Sequence, residues 1–290
     1  MQYENIVDIL NSSISSLVNN LLTSIDTNVF SILDEIVFIN NSILNDKYFI
    51  SFFTKKFSIV YLSEALLFGV LLYYSISYFL SKFTCSNFQK PISFIPKLLL
   101  SAVFIHFSSS ICGYLIDFFD LITNIVREIG ITIFSVRISF SLIYEKISLL
   151  FMSDLSTTFM IFSFDGILKS FISLGFINLL FTYSIRFIFI KILLIISPFA
   201  FLSLSLDQSS WIFKIWLKNL VGQLFSQIFI CVILLIILSF QNSFNLTVTK
   251  LLYIGSLICL IKANTFVKDF TSGFTSDISS GLSNLKNYFN

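Results

Sequence analysis

FSIVYLSEALLFGVLLYYSISYFLS, residues 57–81, contains one carboxylate, Glu64, and no basic residue. Its apolar residues do not alternate with polar ones, as they would in a barrel strand. An α-helix rises 1.5 Å per residue, so about 20 apolar residues cover the hydrocarbon of a bilayer. In that medium each backbone N–H and C=O needs a partner within the protein, and a helix supplies one. Residues 57–81 therefore read as a transmembrane helix.

The same pattern recurs along the chain. Apolar runs cover 92–116, entered through Pro91 and Pro96, then 167–196, 219–240 and 247–266. Hydrophobic residues make up 56% of the sequence and charged ones 12%, against about 25% charged in an average soluble domain. The expected fold class is an all-α polytopic integral membrane protein with about five transmembrane helices, amphipathic N-terminal helices and a large outer loop. The third apolar tract, 167–206, exceeds one simple span. Proline lacks a backbone donor and kinks or stops a helix, so a break is expected at Ser197-Pro198. Residues 199–206 would then be a re-entrant or interfacial piece.

Five regions follow. Residues 1–56 form an amphipathic start. Ile6, Leu10, Ile14, Leu17, Leu21 and Ile25 recur at helical spacing, as do Val29, Ile32, Leu33, Ile36 and Ile39. These helices lie on the membrane, pack on a partner, or fold back on the chain's own spans. Residues 57–119 hold spans one and two, and 120–165 form an extracytoplasmic loop with one or two amphipathic helices. Residues 166–267 hold spans three to five, with the Ser-Pro break and an interfacial helix. Residues 268–290 form a cytoplasmic tail. The first ~25 residues hold acids and no basic n-region, so the first span is expected to direct insertion.

Basic residues orient the spans. Lys82, Lys90 and Lys97 follow span one, Lys214 and Lys218 precede span four, and Lys262, Lys268 and Lys286 follow span five. Placing these inside gives an N-out, C-in chain. Lys47, Lys55 and Lys56, on the outer side, oppose this assignment.

Ionisable residues within spans are functional candidates. Glu64 is either a proton or cation site or the partner of a basic residue on a neighbouring helix. His106, the sole histidine, is expected as a satisfied buried imidazole, since it lacks the company a zinc site requires. Arg186 and Lys191 either snorkel to the headgroups or line a watery passage. Cys85, Cys112, Cys231 and Cys259 have no metal or redox spacing and read as buried thiols. No cofactor, metal or enzyme motif is present: there is no P-loop, no HExxH, no GxSxG and no glycine-rich nucleotide loop. The expectation is a protein without catalytic activity.

The most patterned segment is LLIISPFAFLSLSLDQSSWIFKIWLKNLVGQLFSQIFI, residues 193–230. Ser197-Pro198 ends a helix, Asp207 and Gln208 make a polar turn, and Trp211, Lys214, Trp216 and Lys218 open the next helix. Tryptophan favours the bilayer interface. Phe213, Trp216, Leu217 and Leu220 share one helical face.

With Ala200 and the C-terminal LLYIGSLICLIKANTFVKDFTSG, residues 251–273, this segment resembles the TrbL family of conjugal transfer proteins. These are related to the sixth VirB component of type IV secretion systems. The resemblance covers roughly residues 166–280; the N-terminal third agrees only in layout. It implies a non-catalytic channel subunit in the bacterial cytoplasmic (inner) membrane. Such a subunit forms a homo-oligomer, works with other secretion subunits including a transfer ATPase, and helps pass single-stranded DNA with its relaxase, or protein. It also implies that the outer loop touches substrate, which nominates Arg127, Arg137 and Lys146.

Two other classes fit the composition. A small-solute or ion transporter would build its site on Glu64 and His106. A membrane scaffold would hold partners by its amphipathic N-terminus.

Overall fold

A computed structural model of the chain describes residues 9, 13, 16, 17, 27–54, 58–84, 91–152, 164–240 and 246–288. The described residues form helices and no strand. In chain order these are α1 (Thr27–Val37), α2 (Lys47–Thr54), α3 (Ile59–Thr84), α4 (Pro91–His106), α5 (Ser108–Phe134), α6 (Phe140–Met152), α7 (Phe164–Leu202), α8 (Ser210–Ser239) and α9 (Leu246–Tyr288). Short 3₁₀ turns cover Asn41–Ile43 and Ser203–Ser205. Among the described residues, five helical stretches are long and apolar enough to cross a membrane. They are Lys47–Thr84, Ser108–Phe134, Ser170–Ser205, Ser210–Ser239 and Thr247–Asp269. The chain is an all-α polytopic membrane protein.

Four boundaries differ from the sequence reading. The second apolar run is not one helix over 92–116: α4 ends at His106 and α5 continues to Phe134. Residues 121–134, expected in the outer loop, belong to this span-length helix. Cys112, Ile116, Phe119, Thr123 and Gly130 are buried along it at spacings of three, four and seven. The charges of Asp117, Arg127 and Glu128 lie off that stripe. At the third run, α7 passes through Pro198 to Leu202, so the expected break is absent. Finally, α9 joins the fifth span and the tail in one helix. The first expected amphipathic helix, Ile6–Ile25, lies outside the described residues except for Ile9, Ser13, Ser16 and Leu17. Cys85, Lys55, Lys56 and Lys90 also lie outside them.

The contacts divide the chain into two compact units. Unit 1 comprises residues 1–38, 121–187 and 226–267. Its core seats α1 by Phe30, Leu33 and Val37, all at 0% exposure, among residues of α6, α7, α8 and α9. Phe30 stacks on Tyr144 at 4.4 Å and meets Phe176 edge-on at 5.1 Å. The Tyr183 hydroxyl donates to the Leu260 carbonyl at 2.9 Å. Phe30, Leu33 and Val37 of the amphipathic helix over 27–37 thus fold onto the chain's own helices, while Ile32 stays exposed. Between α5 and α6 the chain reverses at Ser135, whose φ of 55° is left-handed. A Cβ at Gly130 would lie 2.4 Å from Ile138 Cδ1, so a side chain there would force the buried Ile138 to move.

Unit 2 comprises residues 39–120, 188–225 and 268–290. The Ser58 hydroxyl caps α3 by accepting from Tyr61 N–H at 3.2 Å. Tyr74 of α3 stacks on Phe94 of α4 with centroids 3.6 Å apart. The Asn41–Ile43 turn rests on α5, where a Cβ on Gly113 would be 3.3 Å from Leu44.

Candidate functional site

The 193–230 segment carries most of the sequence signal, and unit 2 contains it to Phe225. Pro198 has no N–H for the carbonyl of Leu194, four residues back in α7. One residue upstream, the Leu193 carbonyl accepts the indole N–H of Trp216 at 2.8 Å. Trp216 is buried against Phe201 and Phe213, at centroid distances of 5.4 and 5.7 Å. Phe201 in turn meets Phe104 of α4 at 5.5 Å. The face of Phe213, Trp216, Leu217 and Leu220 points inward, as its spacing predicts. Trp216 is therefore internal rather than an interface anchor, while Trp211 remains 57% exposed. The helix survives its proline because the turn on either side is packed and bonded: Ser203 Oγ donates to the Ala200 carbonyl at 2.7 Å.

Buried hydroxyls at Ser101, Ser108 and Ser197 and the thiol of Cys112 line the adjoining helix surfaces. The polar turn after α7 forms as expected, and Asp207 pairs with Lys97 at 2.6 Å. Sequence reasoning missed this pair because it placed Lys97 in a loop. Lys214 is exposed and Lys218 half-buried.

Lys191, in unit 2, reaches a carboxylate. Its Nζ lies 3.5 Å from Asp46, while the other Asp46 oxygen accepts from Tyr48 N–H and caps α2. Arg186, in unit 1, also turns inward. It is 2% exposed and donates to the Val37 carbonyl at 3.0 Å. That carbonyl belongs to the last turn of α1, where a helix leaves acceptors without internal donors.

The three loop candidates separate. Arg127 lies over the Phe38 ring of unit 1, 3.8 Å from its centroid. Arg137 is exposed and Lys146 half-buried. Arg127 and Arg137 also act on Asp34, a residue that no sequence pattern singles out. Its carboxylate accepts the Phe140 N–H at 3.0 Å, at the start of α6. Burial pushes the Asp34 carboxyl up to about 6, against the lowering effects of the Phe140 hydrogen bond and Arg127. Between the ordinary value of 3.8 and about 6, the folded chain holds a proton that the unfolded chain has released. This group's contribution to stability is thus complete below 3.8 and is lost as pH rises through about 6. Asp34→Asn keeps an acceptor for Phe140 and removes the charge. At pH 7 it should stabilise unit 1 by about 1–2 kcal/mol and flatten the pH dependence of thermal unfolding in detergent. An unchanged pH profile would contradict this assignment.

Glu64 and His106 are brought together, with His106 Nδ1 3.4 Å from Glu64 Oε1. Glu64 thus has its basic neighbour on the next helix. His106, however, is 68% exposed rather than buried. Among the described residues, no three His, Cys, Asp or Glu side chains gather as a metal site. Cys112 and Cys231 are buried thiols, whereas Cys259 is exposed.

No family model, curated protein or solved structure matches this chain.

Proposed function

We propose that the chain is a non-catalytic channel subunit of a type IV secretion system, of the kind that moves single-stranded DNA with its relaxase, or protein, across the bacterial cytoplasmic membrane. On this reading it sits N-out and C-in, self-associates, and works with a transfer ATPase and other secretion subunits. One observation carries the reading. The Ser-Pro part of the TrbL resemblance, from Ser197 to Leu217, packs within unit 2, with the Trp216 indole bonded to the Leu193 carbonyl beside Pro198. Its residues are working parts of this fold, which a chance match in composition would not require. Arg127, Arg186 and Lys191 have partners inside their own units. A polar route for a charged strand would then run between copies of the chain.

The Glu64–His106 contact favours a second reading, a small-solute or ion transporter subunit built on that pair. A cross-linked pull-down of the tagged chain from its native host separates the two. The channel reading expects a transfer ATPase or coupling protein to be recovered with it. Recovery of the chain alone, as a monomer, would overturn that reading and favour the transporter.

A further inference from the structure

The first apolar stretch, Lys47–Thr84, runs for 38 residues, nearly twice the roughly 20 that a span requires. Helix α3 alone has the length to cross, which leaves α2 at the entrance to that span. Two polar contacts of unit 2 gather at this entrance. Asn41 Nδ2 donates to Asp117 at 3.2 Å, and Lys191 lies 3.5 Å from Asp46, the cap of α2. The Lys97–Asp207 pair marks the other rim. Lys97 and Asp117 stand about 20 residues apart along α4 and α5, roughly 30 Å of helix, which is the thickness of the hydrocarbon. Helix α2 therefore starts at a membrane boundary. Its residues sort by helical phase. Phe49 is 3% exposed, and Phe53 packs on it with centroids 5.3 Å apart. Tyr48 and Phe52 flank this stripe on one side and Ile50 on the other, and they are 80%, 46% and 42% exposed. Lys47, exposed, and Ser51 take the face opposite the two buried rings.

We propose that α2 lies in the headgroup layer and docks on anionic phospholipid, with its exposed rings among the upper acyl chains and Lys47 against the headgroup phosphates. A helix whose apolar face is only half covered by its own chain, and whose back carries lysine, is built for that layer. Tyrosine favours it too. Charge complementarity selects the lipid. Lys55 and Lys56 follow Lys47 in the sequence, while the acids at this rim are engaged, Asp46 with Lys191 and with Tyr48 N–H, and Asp117 with Asn41. The exposed apolar residues sit on both flanks of a buried stripe. A fluid lipid layer reaches both flanks, whereas a single protein helix would cover one. The inference rests on the membrane assignment and not on the secretion reading, so a failed pull-down of an ATPase leaves it standing.

Fluorescent phosphatidylglycerol and phosphatidylcholine of equal chain length, titrated into the full chain in detergent, provide the test. Phosphatidylglycerol should bind more tightly, and its advantage should shrink as salt rises. Lys47→Gln should weaken phosphatidylglycerol about fivefold and leave phosphatidylcholine unchanged, while Lys47→Arg should keep the preference. Replacing Lys47, Lys55 and Lys56 together by glutamine should weaken it at least about tenfold. Lys47 is exposed, so the thermal melt without added lipid should hold in each variant. Lys214→Gln, an exposed lysine beyond the opposite rim, should change nothing. Soluble glycerol phosphate at the same concentration should not displace the lipid, since it brings no acyl chains. Equal affinity of the parent for the two lipids, an unchanged affinity in Lys47→Gln, an equal loss in Lys214→Gln, or displacement by glycerol phosphate would each overturn the proposal.

Discussion

Arg186→Ala is expected to destabilise unit 1 by about 2–5 kcal/mol, from a cavity and an unpaired carbonyl, and to loosen α1 from its seat. The guanidinium is 2% exposed and donates to the Val37 carbonyl across 149 positions of sequence. That carbonyl lies at the negative end of the α1 dipole, where a cation is favoured. Alanine leaves the carbonyl without this donor and opens a hole the length of the side chain. Both effects fall where Phe30, Leu33 and Val37 are completely buried. Arg186→Met should be milder. It fills most of the space and removes a buried charge, leaving mainly the carbonyl's lost partner, about 1–3 kcal/mol. Arg186→Lys keeps the charge but loses the planar donor fork, so it should be less stable than Arg186→Met despite its likeness to arginine. Thermal unfolding in detergent gives the order, and limited proteolysis around residues 38–46 reports on α1. A melt for Arg186→Ala equal to that of the parent would show that the contact contributes nothing.

That arginine illustrates what the sequence conceals. Runs of apolar residues announced the membrane spans because hydrocarbon demands length and composition, both of which are local. The partner of Arg186 is a main-chain carbonyl, which every residue has, so no spacing could reveal it. A charge in the third run therefore read as snorkelling or as channel lining. The α1 helix had the same difficulty: an apolar face at helical period looks alike whether lipid, a partner or the chain itself covers it. In α5 a charge misled, since Arg127 suggested a loop. The buried stripe from Cys112 to Gly130 was equally present but required tracking the helical phase past it. Glu64 and His106 were legible as unusual residues, since each is an ionisable group in an apolar run. Their meeting was not, because it depends on the register of α3 against α4. The pairs Lys97–Asp207 and Lys191–Asp46 depend on packing in the same way.

The Ser-Pro segment was legible in content and misread in form, and the reason can be tested. Proline inside a helix costs about 3 kcal/mol or more when nothing compensates, which is why a break was expected. Here α7 continues for another turn, held by the contacts of Phe201 and by the indole bond one residue before the orphaned carbonyl. Trp216→Ala should therefore cost about 3–5 kcal/mol, the range for emptying a large aromatic site. Trp216→Phe keeps much of the ring packing and isolates the indole bond, at about 1–2 kcal/mol. The decisive variant is Pro198→Ala. If the proline opens the turn that admits the indole, restoring an N–H at position 198 closes that turn. Trp216→Phe should then cost less in the Pro198→Ala background than in the parent, by more than about 0.5 kcal/mol, the limit of ordinary additivity. Additive effects in unfolding melts of the four proteins would mean that proline and tryptophan are neighbours without being coupled. The helix would then owe its passage through Pro198 to the packing of Phe201 and Ala200 alone.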